Sequence, residues 1–121
     1  MRSRFDKDLE LLNNQLIEMG AMVENAIDNA VSALIRQNIK LAKTIMANDH
    51  LVNDKEREIE SHCLRLLLQQ QPVATDLRFI STALKMITDM ERIADQAADI
   101  AEITVFLSEK AYLIELIDIP K

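Results

Sequence analysis

Glu91, Asp95 and Asp99 follow one another at intervals of four residues. In a helix each such step turns the side-chain direction by about 40°. The three carboxylates therefore share one strip, which starts inside an apolar seam, where Ile87 leads to Ala94, and walks off its edge. An isolated ionised carboxylate in such a seam is costly unless it is paired or holds a cation. Glu24 and Asp28 repeat the spacing earlier in the chain, beside rather than within an apolar face. If the two acidic pairs meet on neighbouring helices, they offer the all-oxygen donor set that hard cations such as magnesium, calcium, manganese or iron favour. The same spacing is equally that of acids paired with Arg92, Arg78 or Lys85, or simply solvated.

The remaining reactive side chains are expected to be structural. Glu56 and Glu60 lie near the arc of Ile59, Cys63 and Leu67 and are placed to pair with Arg78. Neither His50 nor His62 has a glutamate three positions earlier, so the Glu-x-x-His pairs of di-iron bundles are missing, and both are expected in solvent. Cys63 has no second cysteine and no activating histidine, which suits a small buried hydrophobe. No phosphate-cradling glycine loop, zinc cluster or nucleophile elbow occurs, and the expectation is a protein that binds rather than catalyses.

The elements that must position these groups are long helices. One glycine and two prolines in 121 residues leave few chain reversals, and 3% aromatics with abundant aliphatics suit helix packing. Phe5, Leu9, Leu12, Leu16, Met19, Val23, Ala26, Ala30 and Ala33 recur at helical spacing and predict one helix from Ser3 to about Ile35. Gly20, inside that pattern, suggests a close helix crossing. Asn38 can cap a second helix and Asp49 a third, so the stretch to about Gln70 is one helix or two. Gln71-Pro72 ends it and opens a last helix with two apolar stripes, a face wide enough for two neighbours. The expected fold is all-α, an antiparallel three-helix bundle over residues 1–107. Residues 108–121 lose the pattern yet stay apolar and read as a connector or the start of a further unit.

The formal charge of −6 disfavours nucleic acid and anionic lipid. No apolar run approaches membrane-spanning length, and a lone cysteine without an apolar leader points to the cytoplasm.

The stretches MGAMVENAIDNAV, IESHCLRLLLQQQPVATDLRFISTALKM and TDMERIADQAADIAE together resemble the PhoU family, regulators of bacterial phosphate uptake. The most specific part is Gln70-Gln71-Pro72-Val73-Ala74 with Asp76-Leu77-Arg78, then Asp89, Glu91, Arg92, Ile93 and Asp95. The resemblance implies one repeat of a protein about twice this length. It also implies an adaptor between the ATPase subunit of the phosphate ABC transporter and a membrane sensor histidine kinase, repressing the phosphate-starvation response, and a homodimer or other homo-oligomer. The family's pattern of an acid and an aspartate four apart implies metal ligands at Glu24, Asp28, Glu91, Asp95 and Asp99, for iron, manganese, magnesium or zinc. Two positions depart from it: Ala94 stands where the family usually has glycine, and Asp99 where it often has asparagine.

Overall fold

Three helices account for the computed structural model: α1 (Arg4–Arg36), α2 (Ile39–Gln69) and α3 (Ala74–Asp118). The structure describes residues 4–69 and 73–118, with side chains as far as Leu113. Pro72, expected to open the last helix, lies outside them. No strand occurs among the described residues, and every helix packs on both others.

The α1–α2 turn is built by backbone and side chain together. Gln37 adopts a left-handed φ of 53°. The Asn38 N–H donates to the Ala33 carbonyl at 2.9 Å and the Gln37 N–H to that of Leu34 at 3.4 Å, which satisfies two carbonyls at the end of α1. The Asn38 Oδ1 then accepts from the Leu41 N–H at 3.0 Å, the expected cap of α2. Glycine normally holds the left-handed position, because a Cβ is crowded there. Gln37→Gly is accordingly expected to raise the unfolding free energy by about 0.5–1 kcal/mol. Chemical denaturation checks this; unchanged or lower stability would show that the turn carries no strain.

The stretch that Asp49 could have divided is a single helix. Ala42, Ile45, Val52, Ile59, Cys63 and Leu66 form one buried line through it, and that packing outweighs the capping preference of one aspartate. Gly20 faces Met90, but a Cβ added there would stand 4.0 Å from the Met90 sulfur, an ordinary contact. The expected close crossing is therefore not tight enough to require glycine. Beyond Leu107, α3 continues without a break to Asp118.

The core has two parts. Large side chains, among them Leu12, Met19, Ile59, Leu66, Ile80 and Ile87, fill one. Ala30, Ala33, Ala42, Ile45, Ala97 and Ala101 close the end nearest the α1–α2 turn, where small residues bring the helices together. Between α1 and α2 a buried polar chain crosses the packing. The Gln15 Nε2–H donates to Glu58 Oε1 at 3.1 Å, while the Gln15 Oε1 lies 2.7 Å from His62 Nδ1. Lys55, beside it, bonds Glu18 and stands 3.6 Å from Glu58. His62 is only 3% exposed, so its expected place in solvent is corrected. The amide of Gln15 gives it a partner and makes burial tolerable. His50 is exposed, its Nδ1 3.0 Å from the Ala47 carbonyl. Cys63 is buried as expected, and burial pushes its thiol up to about 11, far from a reactive thiolate.

A candidate cation-binding face

The α3 acids do find acids on a neighbouring helix, but the neighbour is α2. Glu91 and Asp95, both half-buried, hydrogen-bond to each other, and this bond chiefly holds the Glu91 carboxyl above the usual carboxylate range. Burial and the charges of Asp95, Glu56 and Asp49 push it the same way. Two carboxylates can share such a bond only if one carries a proton. Asp49 is likewise raised, first by burial and then by Asp95 and Asp99, against the opposing effect of His50. Burial also raises Glu56, with Glu60 and Asp95 adding to it and Arg57 opposing.

Helix geometry explains this assembly. Asp49 and Glu56 are seven residues apart and so occupy one edge of α2. That edge is the one turned to α3, because Lys55 and His62 on the other side of the buried line face α1. On α3, Glu91 and Asp95 lie on the α2 side, whereas Met90 looks toward Gly20 of α1. The partner of Asp49 is weighted toward Asp95 and Asp99, that of Glu91 toward Asp95 and Glu56.

The candidate ligands are thus divided. Glu91, Asp95 and Asp99 come together as one strip. Glu24 and Asp28 do not join them: both are exposed on α1, roughly 120° and 160° around the helix from its core stripe. The core and Lys55 of α2 face the opposite side of α1, so the expected meeting of two acidic pairs gives way to a meeting of α3 with Asp49 and Glu56. Glu56 and Glu60 do not turn to Arg78 either; the charges acting on Glu56 are those of Glu60, Arg57 and Asp95. Asp49 and Glu56 were absent from the sequence-derived set because one reads as a helix cap and the other as half of an ion pair. Their seven-residue spacing was the available signal.

The donors are hard oxygens, and carboxylates gathered this closely repel one another when ionised. Among the described residues, however, no group of three or more His, Cys, Asp or Glu side chains is arranged to hold a metal ion. A hydrated cation, which keeps its own waters and needs only one or two carboxylates, asks less of such a face than a closed all-protein cage would.

Comparison with known proteins agrees with this architecture. The PhoU domain model matches residues 16–104. The phosphate-specific transport system accessory protein PhoU homolog of Clostridium acetobutylicum is 43% identical over 102 residues, covering 84% of this chain and 47% of that protein. The Aquifex aeolicus homolog of the same name is 38% identical over 113 residues, 93% of this chain and 51% of its own length. The crystal structure of PhoU from Pseudomonas aeruginosa superposes with a TM-score of 0.86 at 37% identity, covering 88% of this chain and 51% of that one. The chain spans about half the length of the curated relatives it matches. With a family match over most of its helices and a solved relative of the same fold, this chain belongs to the PhoU family.

Proposed function

We propose that the chain is one antiparallel three-helix repeat of a cytoplasmic regulator of phosphate uptake, an adaptor between the ATPase subunit of the phosphate ABC transporter and a sensor histidine kinase. The match of residues 16–104 to the PhoU domain carries this reading, together with relatives named as accessory proteins of the phosphate-specific transport system. The order of the side-chain pairs supports the antiparallel part. Glu18 meets Lys55 and Gln15 meets Glu58 and His62, so partners step in opposite directions along α1 and α2. Asp49 and Glu56 step in the same opposed way against Asp99 to Glu91. In this reading residues 108–121 lead toward a second repeat.

The chain works by binding. Its polar faces meet the two partners, and a hydrated divalent or trivalent cation on the Asp49, Glu56, Glu91, Asp95 and Asp99 face offsets the acids there. No helix among the described residues is long and apolar enough to cross a membrane, which suits an adaptor that meets a transporter through its ATPase subunit. Biolayer interferometry of the chain against the purified ATPase subunit and the kinase cytoplasmic region tests the adaptor. Binding to both is expected, and binding to neither would remove this repeat from the adaptor role.

A further inference from the structure

The two parts of the core are separate clusters, and the break between them is a cavity. On α1 the first part stops at Val23 and the second starts at Ala26 and Ile27; on α3 the break falls between Ala94 and Ala97. On α2 the turn between Ile45 and Val52 presents Asn48 and Asp49 there instead of two aliphatic side chains. Ala26 and Ala94 are too small to fill the space, and a cavity of about 230 Å³ remains. Buried Ile45, Val52 and Ala94 form its floor, with Met22 and Ala26 along the α1 side. Its exposed residues, Asn29 on α1 with Thr44 and Asn48 on α2, put the mouth on the α1–α2 groove. Half-buried Asp49 is the one charged residue in the lining among the described residues, and the one that the cavity shares with the acidic face.

Size and chemistry narrow the guest. Unfilled apolar volume lowers the stability of a folded chain, and a dry apolar cavity of about 150 Å³ is enough for a benzene ring. The space here takes a ring or a branched alkyl group, and is smaller than the roughly 300–1,000 Å³ of sites for drug-sized ligands. The floor is all carbon and offers no partner to a polar group placed on it. Charge decides the rest. Asp49 stands in the wall, the charges of Asp95 and Asp99 act on it, and no basic side chain lines the cavity to offset them. An anionic head is repelled there and a cationic head attracted. The amides of Asn29 and Asn48 both donate and accept, so they suit either and do not discriminate. A lysine or arginine of another protein would enter charge first, onto the apolar floor, whereas a free amine can lay its body on the floor and turn its charge to Asp49.

We propose that the cavity between α1 and α2 is a binding site for a small free amine, a compact aromatic or branched-alkyl ammonium whose apolar body rests on Ala94 and whose charge meets Asp49. The proposal depends on neither the adaptor reading nor a bound metal cation. It is tested by heteronuclear NMR titration of the 121-residue chain with phenethylammonium in chelated buffer at neutral pH, beside phenylacetate, which keeps the ring and reverses the charge. Saturable shifts of the Met22, Ala26, Asn48 and Asp49 amides are expected with the amine. Phenylacetate, and the amine with Asp49→Asn, should each bind roughly tenfold or more weakly, because the charge pair is reversed or lost. Acetyl-lysine methylamide, which stands in for a lysine of another protein, should also bind more weakly than the amine. Ala26→Leu fills the cavity and should abolish the shifts while circular dichroism and thermal stability are unchanged or improved. The charge comparison needs no filling variant and stands if that one fails to fold. Shifts that are absent or scattered over the surface, equal affinity for phenylacetate or in Asp49→Asn, tighter binding of the lysine analogue, or full binding by folded Ala26→Leu would each overturn the proposal.

Discussion

Ile59→Ala is expected to lower the unfolding free energy by about 3–4 kcal/mol, within the range for truncating a fully buried aliphatic side chain. Ile59 has no exposed surface and lies in the middle of α2, in the core shared with Leu12, Met19 and Ile87. Each helix contacts both others, so a cavity there removes packing from all three at once. A domain of ordinary marginal stability loses a large share of its total in this way. Urea denaturation measures the loss; a change below about 1 kcal/mol would mean that the helices close over the cavity and that the core is less tightly specified than described.

The second large effect is expected at the buried polar chain between α1 and α2. Gln15 accepts from one side and donates to the other, and this fixes the roles of its neighbours. Glu58 Oε1 accepts from the amide nitrogen, so the amide oxygen faces His62, which must then carry its proton on Nδ1. Gln15→Leu removes both bonds and leaves the buried imidazole without this partner, at a cost of about 1–3 kcal/mol. The pH dependence is distinctive. Burial, assisted by the charge of Arg65, lowers the pKa of His62 against the opposing pull of Asp8 and Glu58. The folded chain therefore resists a proton that the unfolded chain accepts near its ordinary value of about 6.5. The stability held by neutral His62 is complete above that pH and declines as pH falls from there toward the lowered folded value. His62→Gln keeps a neutral hydrogen-bonding group and should flatten this part of the profile. A wild-type and variant pair with the same slope as pH falls below about 6.5 would locate the acid sensitivity elsewhere.

The raised carboxylates act with the opposite sign. Glu91, Asp49 and Glu56 hold protons more firmly in the folded chain, so their contribution to stability is present at low pH and is lost as pH rises from the unfolded carboxylate value through the raised folded value. At neutral pH the acidic face is a net repulsion, and a cation bound there would relieve it. The His62 and acidic-face effects are separable because they lie on different helix pairs and have opposite slopes.

Much of this architecture was legible in the residues themselves. Apolar spacing located all three helices, and the Asn38 cap and the burial of Cys63 follow from local chemistry that tertiary packing reinforces. The strip of Glu91, Asp95 and Asp99 was equally legible, because i, i+4 geometry is a property of one helix. What could not be read was which edges face each other across the bundle. Spacing places Glu24 and Asp28 on a common face of α1, but the side turned to α2 is decided by the whole pattern of contacts, and they fall on the other side. Asp49 looked like a cap because a lone aspartate before a helical pattern usually is one; the continuous buried line of α2 decided otherwise. Gln15 and His62 each look like polar residues intruding on an apolar stripe. Only its meeting with Gln15 across two helices turns His62 from an expected solvated group into one end of a buried bond.

The most direct test of the central claim is isothermal titration calorimetry with manganese and magnesium at neutral pH, on the wild type beside a Glu91→Gln, Asp95→Asn variant. Saturable binding by the wild type, a rise in its thermal stability on binding, and neither effect in the variant are expected. Absence of cation binding in the wild type, or equal binding by the variant, would contradict it.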